Sequence, residues 1–189
     1  YKALRECEAE LMCKYPELDV VDRLPESISY VSSVELLSKY PGLSGYEREN
    51  AYVREHGAAF VMGIGSRLSD GTRHDGRAPD YDDWSLNGDI LVWNHVLGRV
   101  FEISSMGIRV DRNSLLFQLN DTSNDDRQSL DYHHKVLNDL LPLSIGGGIG
   151  QSRVSMFMLR KHHIGEVQVS VWSNDTIAFY ENHKIHLLQ

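Results

Sequence analysis

Residues Gly146 to Arg153 read GGGIGQSR, the stretch whose residue types and spacing are best suited to seating a nucleotide. They fit a G-x-G-x-G-x-x-R pattern on Gly146, Gly148, Gly150 and Arg153. A strand-like run, LPLSIGGGIG, leads in, and a helix-like run, VSMFMLRK, follows. Glycines at such a junction let backbone come close to a flat or anionic ligand. The helix N-terminus behind them favours negative charge. The arginine supplies a planar cation that stacks on a base or grips a phosphate. Other nucleotide motifs fail on the letters. A Walker loop needs a lysine after its spacer, and none follows. A dinucleotide fingerprint needs a third glycine where this chain has Gln151 or Arg153. A plain glycine-rich turn beside a solvated arginine uses the same letters, so the motif needs partners.

Asp89 and Glu102 are the best metal candidates. They lie on or beside GDILVWN (88–94) and RVFEISSMGIRV (99–110), two strands linked by HVLG. In such a hairpin both carboxylates can face one cleft. Magnesium takes one or two carboxylates plus substrate phosphates. Two ordinary strand-end carboxylates are the plainer alternative. The stretch SRLSDGTRHDGRAPDYDDWS (66–85) carries Arg67, Arg73, Arg77 and five aspartates in addition. Mixed charge in a loop is commonly solvated surface, yet a loop this long is usually functional or mobile. Arginines near a nucleotide neutralise pyrophosphate, and an aspartate holds an amine. The RHD and DYDD strings lack any companion motif and read as coincidence. The adjacent pairs His133–His134 and His162–His163 cannot share a helix face. They are expected to be solvated. There is no H-E-x-x-H and no G-x-S-x-G elbow.

The elements that must position these residues follow from periodicity and punctuation. Residues 2–14 read as a helix stopped by Pro16. SISYVS (27–32) is a short strand, and Ser32 or Ser33 caps VELLSKY. YERENAYVREHG is a helix with Gly57 as its stop. AAFVMGIG (58–65) is a buried central strand. NSLLFQL and DRQSLDYHHKVLNDLL are helices, the second capped by Asp125 or Asp126 and closed by Pro142. EVQVSVW (166–172) alternates with period 2 and predicts a last strand. The tail after Trp172 is ambiguous. Contiguous strands joined by hairpins and helices favour an α+β fold, with a mixed or antiparallel sheet, over a wound βαβ arrangement.

Bulk properties set the outer bounds. A chain of 189 residues suits one domain, and 41% hydrophobic residues suffice for a core. The formal charge of −8, with no basic tail, argues against a surface that grips nucleic acid. No apolar run is long enough to span a bilayer, and the start has no signal-peptide pattern. Cys7 and Cys13 are six apart, not a metal-ligand spacing, and are expected to be inert thiols on the opening helix. Sparse cysteine agrees with a reducing, cytoplasmic setting. The opening YKALRECEAELMCKYP reads as a helix already under way, as in the remainder of a longer protein.

The strings GIGSRLSDGTRHDGRAPDYDDW, LNGDILVWN, FEISSMGIRVD and IGGGIGQSR resemble the ammonia-dependent asparagine synthetases, the asparagine synthetase A type. The resemblance runs from about residue 1 to Trp172. It implies the catalytic fold of class II aminoacyl-tRNA synthetases, an antiparallel sheet flanked by helices, with GGGIGQSR as the third class II motif. It implies aspartate, ammonia and ATP as substrates, Mg2+ as cofactor, a β-aspartyl-AMP intermediate, and a homodimer. Carried over by position, Arg153 contacts adenine or phosphate, and Gly148 and Gly150 admit the ligand. Asp89 and Glu102 hold magnesium and the nucleotide, and Arg77 neutralises phosphates. Asp82, Ser104 and Ser105 lie where substrate and ammonia meet, and Arg109 clamps charge near the reacting carboxylate. Residues 1–189 then form the C-terminal portion of one catalytic domain. The family's N-terminal portion, with most aspartate ligands, and a longer loop between Ser85 and Leu86 are missing from this sequence. A class II tRNA synthetase and an inactive nucleotide-binding or dimerising fragment are the rival readings.

Overall fold

The computed structural model describes residues 1–189. Five strands form one sheet in the order β1-β2-β3-β4-β5. They are β1 (Ser29–Ser32), β2 (Ala58–Met62), β3 (Asp82–Asn94), β4 (Arg99–Arg109) and β5 (Ile145–Ile149). All neighbours pair antiparallel except β1 and β2, which are parallel, so the sheet is mixed. Seven helices accompany it: α1 (Lys2–Lys14), α2 (Ser33–Lys39), α3 (Gly45–His56), α4 (Arg112–Asp121), α5 (Asp131–Leu137), α6 (Gln151–Met158) and α7 (Asn174–Asn182). The fold is α+β.

Each sheet face has its own core, as period-2 alternation requires. On one face Leu91 of β3 and Val100 of β4 pack with Leu36 of α2 and Val53 of α3. On the other, Ile90, Val92 and Ile103 pack with Phe157 and Met158 of α6, and Leu4 and Leu11 of α1 join them. A third cluster, Val110, Leu115, Leu119 and Val136, binds α4 to α5.

Local chemistry sets the helix ends. Ser32 and Ser44 begin α2 and α3 with full capping boxes to Glu35 and Glu47, which satisfies the free first-turn N–H groups. Gly57, at φ +75°, closes α3 in a conformation that favours glycine. Asp111 caps α4 by accepting from the Asn113 and Ser114 amides.

Three expectations are corrected. The long helix of residues 126–141 breaks at Leu130, whose ψ of 148° is extended. A 3-10 turn (Asp125–Ser129) precedes it and α5 follows. EVQVSVW is not a strand. Ile164–Glu166 form a 3-10 turn, and the rest pairs with neither sheet edge. Val171 is 98% exposed. The alternation had no partner strand to use it. Instead the Trp172 indole donates to the Leu188 carbonyl at 3.0 Å and packs edge-on to His163. Finally, β3 starts at Asp82, so the polar stretch is strand from there on. Four residues, Asp83–Leu86, bulge opposite the single residue Ile108.

Glycine at the first residue of α3 is required for close approach. An added Cβ on Gly45 would overlap the carbonyl oxygen of His74, a backbone atom. Alanine in place of helical glycine normally stabilises by about 1 kcal/mol. Here Gly45→Ala is expected to destabilise by about 1–3 kcal/mol, because α3 and the 66–81 loop must part. Urea denaturation reads the sign directly.

Candidate active site

The β3–β4 pairing decides which carboxylates meet. Asp89 pairs with Ser105 and Leu91 with Glu102. Glu102 and Ser105 are three apart, so a regular strand would send them to opposite faces. The register shifts between Ile90 and Leu91, where Ile103 is the extra residue. Ile103 and Ser104 both turn to the α6 side, and Glu102 and Ser105 both face the α3 side. A bulge commonly re-aims side chains in this way.

Two cavities lie side by side on that face. The first, about 420 Å³, is lined by Arg77, Asp89, Glu102 and Arg153, with Tyr46, Glu49 and His74 on its far wall. The second, about 310 Å³, is lined by Arg77, Ala78, Tyr81, Asp82 and Ser105. Arg77 belongs to both. It pairs with Asp89, and its Nε is buried without a partner. Arg153 stands in the first turn of α6, where a cation opposes the helix dipole. It donates to Glu102 Oε1 at 2.8 Å. Arg109 pairs with Asp82, donates to the Tyr81 hydroxyl at 3.0 Å, and lies 3.9 Å above the Tyr81 ring.

The glycines serve this geometry in different ways. An added Cβ on Gly107 would come 2.7 Å from the Asp82 carboxyl carbon, and one on Gly146 would overlap the Arg109 guanidinium. These two make room for the Asp82–Arg109 pair. Gly148 pairs with Ser105 and has open space on its Cβ side. Gly150 is the N-cap of α6, beside the Arg153 side chain. None of the four has a positive φ. Their use is proximity rather than a turn.

Ser104 stands apart from the other candidates. Its hydroxyl donates to the Gly148 carbonyl at 2.8 Å, and it borders a separate apolar cavity behind the sheet.

The loop of residues 66–81 is tied down along its length. Arg73 pairs with Asp121 of α4. Gln118, 1% exposed, donates to the Pro79 and Asp82 carbonyls and accepts from the Trp84 amide. Asn87 exchanges two hydrogen bonds with the Ile64 backbone at 2.8 and 2.7 Å. His74 bonds Glu49 at 2.9 Å, and His133 bonds Asp80 at 2.9 Å. Both histidines are buried, and His133 corrects the expectation of a solvated one. Sequence reasoning missed His74, Glu49 and Gln118. Their only signal was the spacing of Gly45, Arg48 and Glu49 on one face of α3, which has meaning only once the loop is seen to lie there.

Burial pushes the Asp80 carboxyl up, but hydrogen bonds from His133 and Arg127, with the Arg127 charge, outweigh it. The net result holds it below the ordinary carboxylate range. A lowered folded value means that the stabilising contribution is complete above about pH 4. It is lost as the pH falls through the lower, folded value. Asp80→Asn is therefore expected to be less stable than the parent at neutral pH, with the gap closing below about pH 4. Melting temperatures across that range measure it.

With this geometry in place, comparison with known proteins decides the family. A sequence model described as AsnA, aspartate-ammonia ligase, matches residues 1–184. The chain belongs to the aspartate–ammonia ligase family. In fold, this ligase-family chain is similar to class II tRNA synthetases. Asparaginyl-tRNA synthetase of Entamoeba histolytica superposes with TM-score 0.56 at 14% identity, over 85% of this chain and 38% of that one. The Pyrococcus horikoshii asparaginyl enzyme gives TM-score 0.54 at 17% identity, over 86% and 42%. Aspartyl-tRNA synthetase of Entamoeba histolytica gives 0.55 at 16%, over 85% and 36%. The chain thus spans about two fifths of the length of these synthetases. No helix is long and apolar enough to cross a membrane.

Proposed function

We propose that these residues form the nucleotide side and part of the amino-acid side of an ATP-dependent aspartate–ammonia ligase. The observation that carries this reading is the pair of adjoining cavities joined at Arg77. One has the cations and carboxylates a triphosphate needs, and the other is lined by Asp82, whose partner Arg109 stands behind it, a pair suited to a zwitterionic substrate. Family membership supplies the substrate class.

In the first step a side-chain carboxylate oxygen of aspartate attacks the α-phosphorus of ATP. An O–P bond forms, and pyrophosphate leaves with its electron pair. In the second, ammonia attacks the carbonyl carbon of β-aspartyl-AMP, AMP leaves, and the amide nitrogen sheds a proton. Arg153 stacks on adenine or takes phosphate charge. Arg77 moves from Asp89 to phosphate, and its unpartnered Nε gains an acceptor. Asp82 accepts the substrate amine, and Arg109 faces a carboxylate. Such catalysis is mostly positioning and neutralisation of charge.

Magnesium fits the donor set. Asp89 and Glu102 line one cavity, and no cluster of three His, Cys, Asp or Glu side chains forms a protein-only cage. Two carboxylates completed by substrate phosphates are what this ion accepts. Asp89 and Glu102 would hold it, and it would neutralise phosphate charge there.

The test is AMP and asparagine formation from ATP, aspartate and ammonium, with and without tRNA. Both products without tRNA support the ligase. Strict dependence on tRNA would overturn it in favour of a synthetase. Nucleotide binding with no product would reduce the chain to a binding fragment.

A further inference from the structure

Two histidines in unconnected parts of the molecule share an arrangement. His74, in the loop, has Nε2 at 2.9 Å from Glu49 of α3, and its side chain is fully buried. His133, on α5, has Nε2 at 2.9 Å from Asp80 in the loop, and its side chain is 8% exposed. In both, Nδ1 is buried with no partner. A bare lone pair is tolerated there more readily than a bare N–H, so each ring is assigned the tautomer that donates from Nε2. Each ring is thus a fixed donor to one carboxylate rather than a group left over from solvent.

The two bonds fall on opposite ends of the segment that carries the site. Glu49–His74 pins the residues just before Arg77. The Gly45 contact with the His74 carbonyl reinforces that end. Asp80–His133 pins the residues just before Asp82, and Arg127 adds a second bond to Asp80 at 3.0 Å. Between the anchors the chain runs from the first cavity into the second.

Resting on the function proposed above, we propose that His74 and His133 are positioning residues with divided tasks. His74 sets Arg77, and so nucleotide affinity. His133 sets Tyr81 and Asp82, and so aspartate affinity. His133 lines neither cavity, and His74, in the wall of the first, has its Nε2 committed to Glu49. An arrangement that served only to fasten the loop would not separate the two ligands. Orienting partners of this kind commonly change affinity about 10–100-fold when removed, and small displacements at a reacting centre have large effects.

Four variants test this: His74→Leu, His133→Leu, and the glutamine substitutions His74→Gln and His133→Gln, whose amide can still donate to the carboxylate. Hydrogen exchange of the unliganded protein comes first. His74→Leu should speed exchange mainly at residues 74–78, and His133→Leu mainly at 80–83. Calorimetry with MgATP and, separately, L-aspartate comes second. His74→Leu should weaken MgATP about tenfold or more and aspartate little, and His133→Leu the reverse. The glutamine variants should recover most of each loss. Exchange that rises equally along the loop, or equal losses for both ligands, would overturn the divided roles. Localised exchange in a protein that binds neither ligand would support the anchoring and overturn the ligase reading instead.

Discussion

Arg153→Ala is expected to lower AMP formation by about 10²–10³-fold, with little change in melting temperature. The physical basis is its double position. Arg153 lines the first cavity, yet its side chain is 48% exposed and its partner Glu102 39% exposed. A pair that open to water contributes about 0–1 kcal/mol to folding. The alanine variant leaves Glu102 solvated rather than buried and unpaired. Arg153→Lys separates charge from shape. A lysine retains the cation but loses the planar face, so a stacking role predicts that it rescues little. Steady-state AMP release and thermal melting, measured together, read the two effects. Near-normal turnover in the alanine variant would remove Arg153 from the nucleotide site. A large fall in melting temperature would reassign it to the fold.

Glu8→Ala should have the largest effect on stability, about 3–5 kcal/mol. Glu8 is 2% exposed on α1 and accepts from Arg160, 6% exposed, at 2.7 Å. Its other oxygen accepts from the Leu24 amide at 2.8 Å. Alanine leaves a guanidinium buried without its counter-charge and an amide without its acceptor. Arg160 follows α6, whose first turn holds Arg153, so the loss also loosens the helix behind the first cavity. Replacing both charges, with Glu8→Leu and Arg160→Met together, is expected to recover part of the stability. The Leu24 amide keeps that recovery incomplete. Chemical denaturation of the single and double variants measures both. A single variant within about 1 kcal/mol of the parent would show that water reaches the pair.

The sheet was legible where apolar runs were bounded by glycine or by capping residues. Residues 58–62, 88–94, 99–109 and 145–149 all became strands, and Ser32 and Gly57 marked helix ends. These signals are local, and local chemistry fixes them. What failed depended on distant partners. Val167, Val169 and Val171 alternate as a strand should, but no edge receives them. Leu130 breaks a helix that its neighbours' periodicity would carry through. Glu8 reads as a solvated helix residue until Arg160, 152 positions away, is brought beside it. The candidate site divides the same way. Asp89 and Glu102, on the two strands of one hairpin, line one cavity. Ser104 and Ser105 could not be told apart, because adjacent residues in a strand part company only once the pairing register is known.

Strand alternation is a parity rule, and the extra residue at Ile103 changes the parity of β4 between Glu102 and Ser105. Deleting Ile103 would set Glu102 and Ser105 two apart, and regular alternation would then keep both on one face without the bulge and the bend that it gives the strand. A sequence with one residue in place of two between the glutamate and the second serine can keep both on the same face only by straightening this strand. The spacing E-x-x-S is therefore the written trace of a fault in the ladder, and it can be sought in sequences where no structure is known.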